Sequence, residues 1–395
     1  MWRRIKNIYH FFTAVIANII FGFPGKELKV IGVTGTDGKT TTVYLIYHLL
    51  KSAGFKVAMV SSIGATINDK LYETGFHVTT PSSFSLQKFL REARKQGSEY
   101  FVLEVTSHAL DQNRIWGIPF KIGIITNVTP EHLDYHKNYE DYLKTKGRLL
   151  VKAETAIVNK DDISYAYLRD LRRKKSKKNW ITYSLSSEDF GFDLESNNFS
   201  SQFNKYNALA AISLCKFLKV DKKDIKKGLE AFNLPPGRLD FIYSKNFKIV
   251  IDFAHTPNAF LQLLSFLRPL VSGRIIHVFG CAGERDKIKR PEMGRISSDF
   301  ANIIILTAED SRREKVKNIT DEILAGIKNP VTQILKIIDR QKAIDKAIEI
   351  AEDKDLVLLT GKAHEKSINL GHGEEPWDEY ETVKKALKKR GLSYD

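Results

Sequence analysis

The segment GVTGTDGKTTT sets Gly35, Gly38, Lys39 and Thr40 between an apolar β-rich run and a helical one. At the start of a helix, backbone N–H groups and the helix dipole can hold phosphates; a lysine there neutralises them and a threonine hydroxyl ligates magnesium. Thr36, Asp37 and Thr41 share this loop and are expected to touch the nucleotide. The spacing departs from the strict G-x-x-x-x-G-K-T, because Val33 stands at the first glycine position. Glu104 ends the run YFVLE, and His132 follows KIGIIT within TPEHLDYH. A carboxylate and an imidazole at strand ends beside a phosphate loop suit Mg²⁺ that bridges ATP to a second anion. Singly, Glu104 reads as a surface residue and His132 as a helix cap; together they read as metal ligands.

Those residues need a scaffold. LKVIGV is β-rich, GTDGKT is a turn, and TTVYLIYHLLKSA reads as a helix closed by Gly54. The apolar runs KVAMVSSI, YFVLEV and KIGIITNV alternate with helical stretches such as SLQKFLREARKQG. That alternation predicts a mostly parallel sheet covered by helices. Pro235, Pro236 and Gly237 form a breaker cluster after the helical stretch Lys205 to Phe232. From about Arg238 a second α/β unit follows, with strands in RIIHVFG, NIIILTA and DLVLLTG. Ligands of open parallel sheets bind at the carboxyl ends of strands, so the loops after these runs should carry chemistry. The expected architecture is α/β: an apolar or amphipathic helix over 1–28, a P-loop ATPase domain over 29–235, and a Rossmann-like domain over 236–395.

The formal charge of +15 admits nucleic acid, an anionic membrane or anionic small substrates, or a lysine-rich solvated surface. The lysines are scattered and no RNA-binding signature with interleaved aromatics is present, so no nucleic-acid partner is expected. Two cysteines, Cys215 and Cys281, build neither a disulfide framework nor a Cys-rich zinc site; they read as core residues of a protein in a reducing compartment. The apolar stretch Ile8 to Phe23 follows Trp2, Arg3, Arg4 and Lys6 but has no convincing small-residue cleavage site. Three readings stand: a helix packed on the body, an interfacial membrane helix, or a span.

From Val30 to Leu387 the sequence resembles the Mur ligases, through GVTGTDGKTTT, VTTP, EVTSHALDQNR, TNVTPEHLDYH, YLKTKGRLL, FNKYNALAA, PPGRLD, DFAHTPNA, FGCAGERDKIKRPEMG and LLTGKAHE. The GCAGERDKIKRPEMG and GKAHE blocks resemble the MurE type in particular, which adds the third amino acid of the peptidoglycan stem peptide. The resemblance implies a cytoplasmic, ATP- and Mg²⁺-dependent ligase acting on UDP-MurNAc-L-Ala-D-Glu and a free amino acid. It also implies that Lys146 is carbamylated to make an anionic magnesium ligand beside Thr40, Glu104 and His132. Asn127, Asn204 and Asn207 would approach the nucleotide from the first domain, and Arg238 and Asp252 from the second. His255 would act near the γ-phosphate. Thr79, Thr80, Thr106, Gln112 and Arg114 match positions that hold the uridine-linked sugar peptide. Arg285, Asp310, Arg312, Gly361 and Glu365 match the amino-acid pocket. For several of these, plainer roles stay open: N-capping or turns for the two asparagines of FNKYNALAA, a surface ion pair for Arg114, a helix-dipole acid for Glu365.

Two departures qualify the match. About 30 residues precede the first strand, fewer than the family's uridine-gripping domain needs, and the stretch from Trp180 to Phe203 is short for the middle domain. AEDSR stands in place of the DNPR of diaminopimelate-adding enzymes; its Arg312 favours a diacid such as meso-diaminopimelate. With the apolar N-terminal stretch, the first departure suggests docking at the inner membrane face. Rival readings are a folylpolyglutamate-synthetase-like ligase, against which the GERDKIKRPEMG and GKAHE blocks argue, and a silent nucleotide-binding scaffold, against which the intact metal-site residues argue.

Overall fold

A computed structural model describes residues 2–75, 79–175, 179–186, 191–195 and 198–394. Val78 of the VTTP block and parts of the Trp180 to Phe203 stretch lie outside the described residues. The chain divides into two compact units, Met1–Asn233 and Leu234–Asp395.

The first unit carries an eight-stranded sheet: β1 (Lys29–Thr34), β2 (Val57–Val60), β3 (Ala65–Ile67), β4 (Lys70–Tyr72), β5 (Tyr100–Glu104), β6 (Phe120–Ile125), β7 (Thr155–Asn159) and β8 (Asn179–Tyr183), in the order β4-β3-β2-β5-β1-β6-β7-β8. From β2 through β5, β1, β6 and β7 to β8 the neighbours run parallel; at the edge, β3 pairs antiparallel with both β2 and β4. The expected mostly parallel sheet is therefore present. The central strands are buried on both faces, as near-continuous apolar runs such as FVL and IGII require.

Helices α1 (Trp2–Phe21), α2 (Lys39–Ser52), α3 (Ser83–Lys95), α4 (Ser107–Asp111), α5 (Tyr139–Lys152), α6 (Tyr165–Lys175), α7 (Gln202–Phe217) and α8 (Lys222–Ala231) complete this unit. Side chains of Ser82, Thr106, Asn138 and Ser201 cap α3, α4, α5 and α7, each worth about 1 kcal/mol. Helix α1 packs against α3 and buries Ala14, Ala17 and Asn18, so the N-terminal stretch lies on the body of this unit. Among the described residues, no helix is long and apolar enough to cross a membrane.

The second unit is a six-stranded sheet built from β9 (Asp240–Ser244), β10 (Lys248–Asp252), β11 (Ile275–Phe279), β12 (Ile303–Leu306), β13 (Gln333–Lys336) and β14 (Leu356–Thr360), in the order β13-β12-β11-β14-β10-β9. All neighbours are parallel except β9 with β10. Because β14 lies between β10 and β11, the strand order reverses at β11 and β14, and a crevice opens at their carboxyl ends. A small hairpin, β15 (Ser367–Asn369) with β16 (Glu374–Pro376), follows. Helices α9 (Pro257–Leu267), α10 (Lys289–Phe300), α11 (Val316–Leu324), α12 (Arg340–Ile350) and α13 (Glu379–Lys389) accompany the sheet. Cys215 and Cys281 are buried, one in each unit; burial pushes the Cys215 thiol up to about 12.

Candidate active site

In the first unit the phosphate loop leaves β1 and enters α2 at Lys39. Gly38 has φ 79°, a left-handed conformation, and a side chain there would run into Asn207. The loop is held from the end of β6: Asn127 accepts from the Asp37 N–H (3.0 Å) and donates to the Asp37 carbonyl (3.1 Å), while its own carbonyl accepts from the Thr36 N–H (2.9 Å). Asn127 therefore fixes the shape of the loop. The Lys39 ammonium folds back onto the Thr36 carbonyl at 2.8 Å. Thr41 is buried in the first turn of α2.

Two expected metal ligands meet directly. The Thr40 hydroxyl donates to Glu104 Oε2 at 3.0 Å, and the Ser62 backbone N–H reaches the same oxygen at 3.1 Å. Glu104 is only 2% exposed, a buried oxygen donor of the hard type that Mg²⁺ prefers. Nearby, His132 sits at φ 55° with its ring edge-on to His108, centroids 5.0 Å apart, and to Tyr142 at 6.3 Å. Among the described residues no group of three or more His, Cys, Asp or Glu gathers as a metal site. The set here is a carboxylate, a hydroxyl, an imidazole and a lysine.

That lysine is Lys146, on the buried face of α5. Its ammonium donates to the Gly35 carbonyl at 2.6 Å and stands 4.6 Å from the Tyr142 ring centroid. Burial, reinforced by the Lys39 charge, pushes its pKa well below the ordinary lysine value, against the pull of Asp37, Glu131 and Glu104. Burying a charged ammonium without a bonded counter-ion costs several kcal/mol, so the neutral amine is favoured.

Asn204 and Asn207 lie buried on α7, where Asn207 donates to Asn204 Oδ1 (3.2 Å) and accepts from the Thr42 hydroxyl (3.2 Å). Neither caps the helix; Ser201 does. The expected acceptor contacts form a second cluster. The Thr80 hydroxyl donates to the Glu104 carbonyl (2.9 Å) and accepts from the Thr106 N–H (3.0 Å), and Arg114 donates to the Thr80 carbonyl (2.8 Å). Burial pushes the Arg114 pKa down. Gln112 reaches the Tyr135 hydroxyl at 3.4 Å, and Thr79 is partly buried beside Thr80.

In the second unit Phe253 is a hub. The Arg238 guanidinium stands 4.7 Å from its ring centroid, and the His255 and His364 rings pack against it at 4.9 and 4.8 Å. His255 Nδ1 lies 2.8 Å from the Phe253 carbonyl, and Lys289 donates to the His255 carbonyl at 2.8 Å. Asp252 accepts from the backbone N–H groups of Leu239 (2.7 Å) and Ala254 (2.6 Å), tying together the two loops that present Arg238 and His255.

The loops after β12 and β14 bring together two of the five expected pocket residues, Asp310 and Glu365. Lys362, fully buried, donates to Asp310 (3.0 Å) and Glu365 (2.6 Å). Burial opposes its charge, but Glu365 and Asp310 outweigh that and raise its pKa. The ammonium beside Glu365 here is thus the chain's own. Arg312, at φ 51°, donates to the Gly283 carbonyl at 2.5 Å and lines a cavity of about 290 Å³ with Glu284, Arg313, Asn369, Gly371 and Gly373. Gly361 has φ 99° and backs onto Glu309, whose carboxyl burial and Asp310 push up to about 7. Arg285 lies in the loop after β11, outside that cavity lining.

Sequence reasoning missed Ser62, Tyr142, Glu309 and Lys362. Lys362 sits inside a quoted block, GKAHE, and its neighbouring acids could have flagged it. Ser62 and Tyr142 carry no local signal.

Residues 33–210 match the Mur ligase middle domain, and residues 237–363 match the Mur ligase glutamate ligase domain. The chain is 34% identical over 399 residues to the UDP-N-acetylmuramoyl-L-alanyl-D-glutamate–2,6-diaminopimelate ligase of Clostridium botulinum, covering 95% of this chain and 81% of that one. A solved structure of a ligase of the same name superposes with a TM-score of 0.59 at 30% identity, covering 93% of this chain and 79% of that one. The bifunctional folylpolyglutamate synthase/dihydrofolate synthase of Yersinia pestis, solved with AMPPNP and a manganese ion, reaches a TM-score of 0.72 at 16% identity, covering 97% and 93%. The last likeness is one of fold alone.

Proposed function

Because the chain belongs to the Mur ligase family, an ATP-dependent family of acid–amino-acid ligases, we propose that it adds the third stem-peptide residue, a diamino acid, to UDP-MurNAc-L-Ala-D-Glu. The observation that carries this reading is the meeting of Lys39, Thr40, Glu104, His132 and Lys146 around one phosphate loop. The acceptor carboxylate attacks the γ-phosphate of ATP, giving an acyl phosphate and ADP. The amine of the incoming amino acid then attacks the activated carbonyl, and phosphate leaves.

Each step assigns work to this chain's own residues. Gly35 to Thr41 cradle the nucleotide phosphates, Asn127 keeps that cradle in shape, and Lys39 swings from the Thr36 carbonyl to the transferring phosphoryl group. Asn204 and Asn207 approach the base, and Arg238, Asp252 and His255 serve the nucleotide from the second domain. Thr79, Thr80, Thr106, Gln112 and Arg114 hold the acceptor. Thr40, Glu104 and His132 ligate magnesium, which when bound neutralises charge on the phosphate oxygens. The neutral amine of Lys146 adds to carbon dioxide and loses one proton, and the resulting carbamate supplies a further anionic oxygen. Its low pKa supports this step, since only the unprotonated amine is nucleophilic.

Arg285, Asp310, Arg312, Gly361 and Glu365 receive the amino acid. Arg312 and Arg313 in the cavity wall favour a side chain ending in a carboxylate, hence meso-diaminopimelate. The reaction is set in the cytoplasm, with residues 1–28 as the contact to the inner membrane face. Lys39→Ala tests the assignment: phosphate release in the presence of acceptor and amino acid should fall at least about 100-fold. Full activity in that variant would sink it.

A further inference from the structure

Helix α1 has two faces with different jobs. Its outer face presents Ile5, Ile8, Tyr9, Phe12, Ile16, Ile19 and Ile20, each 49–67% exposed. At helical spacing these residues form one continuous exposed apolar stripe about 22 Å long. Lys6 is exposed at its edge, Lys26 is exposed just beyond its end, and the helix holds no acidic residue.

The inner face grips the loop that follows α4. Arg3 donates to Asp111 (2.8 Å) and to Asp141 (2.9 Å), and Asn7 donates to Asp111 (3.0 Å). Tyr135, the partner of Gln112, donates to the same Asp111 oxygen at 2.9 Å. Despite its burial, these donors hold the Asp111 carboxyl well below the usual carboxylate range. Further along, Asn18 donates to the Trp116 carbonyl at 2.8 Å, and the Phe11 ring packs edge-on to Trp116 at 5.5 Å.

We propose that α1 docks the protein in the plane of an anionic lipid surface through its outer face, while its inner face braces the Asp111–Arg114 loop. The brace rests on the reading of Gln112 and Arg114 as acceptor contacts; the docking does not. A helix is about 10 Å across, so docking sets that loop at headgroup level, one helix diameter from the apolar boundary. A second copy of the chain fits less well. One helix-wide stripe is smaller than the interface a stable dimer needs, and two chains of charge +15 repel, whereas an anionic surface attracts.

The test floats the full-length protein with vesicles of equal parts phosphatidylglycerol and phosphatidylcholine, and with phosphatidylcholine alone, beside the Phe12→Glu, Ile16→Glu double variant. The wild type should partition at least about tenfold more strongly onto the anionic vesicles than the variant, and more weakly onto the neutral ones. Phosphate release without vesicles should be equal for the two proteins. Equal flotation overturns the docking, as does a wild-type dimer in light scattering that the variant dissolves while neither floats. Arg3→Ala addresses the brace: acceptor KM should rise severalfold with ATP KM and flotation unchanged, and an unchanged acceptor KM overturns it. Flotation needs no turnover, so failed docking leaves the ligase reading standing, and absent turnover leaves the docking standing.

Discussion

Among the described residues each unit buries one lysine, and the two are treated in opposite ways. Lys146 meets a backbone carbonyl, an aromatic face and the charge of Lys39, and is driven towards the neutral amine. Lys362 meets two carboxylates and stays charged. The same side chain is thus prepared as a nucleophile in one place and as a fixed counter-ion in the other. Both lysines are buried, so the difference lies in the charges around them, Lys39 beside Lys146 and two carboxylates beside Lys362. In the second unit, Asp310 and Glu365 share one internal ammonium, which leaves Arg312 and Arg313 to set the character of the cavity.

Replacing each lysine by methionine should separate the two roles. Lys146→Met should lower phosphate release by about 10²–10³-fold while leaving stability to urea unchanged or improved. Lys362→Met should destabilise the second unit by about 3–5 kcal/mol, because the buried Asp310 and the partly buried Glu365 lose the ammonium that bridges them. Equal losses of stability in the two variants would erase the contrast. Arg312→Ala comes next: the KM for meso-diaminopimelate should rise about tenfold or more while lysine is little affected, and unchanged selectivity counts against a diacid.

The smallest effect is a pH trend of opposite sign. Lys362 has a folded pKa above the ordinary 10.5, so its stabilisation is complete below that value and is lost as pH rises through the folded one. Lys146 has a folded pKa below 10.5, so the unfolded chain binds the extra proton between the two values. Its contribution to stability therefore rises with pH across that window. Relative to the methionine variant, the wild-type urea midpoint should rise with pH below 10.5 for Lys146, and fall towards the variant's above 10.5 for Lys362.

What was legible in the sequence is what is local. The phosphate loop, the strands that end at Glu104 and before His132, and the loops after β11, β12 and β14 each sit in a few consecutive residues with their own period. The β3–β4 hairpin was not read. Its turn, Asn68 and Asp69, both left-handed, joins strands too short for alternation to show. Strands β7 and β8 were also missed. The pairings that decide chemistry were out of reach for another reason: Lys362 and Asp310 are 52 residues apart, Arg3 and Asp111 are 108 apart, and no periodicity links them. For Glu365, the sequence marked a carboxylate near an ammonium but could not say whose.

The central claim is tested most directly by phosphate release from the purified protein with ATP, Mg²⁺ and UDP-MurNAc-L-Ala-D-Glu, adding meso-diaminopimelate, L-lysine or other amino acids singly. The account predicts release that requires both the acceptor and an amino acid, greatest with meso-diaminopimelate, and a product heavier by that amino acid less one water. ATP binding without release for any pair would contradict it.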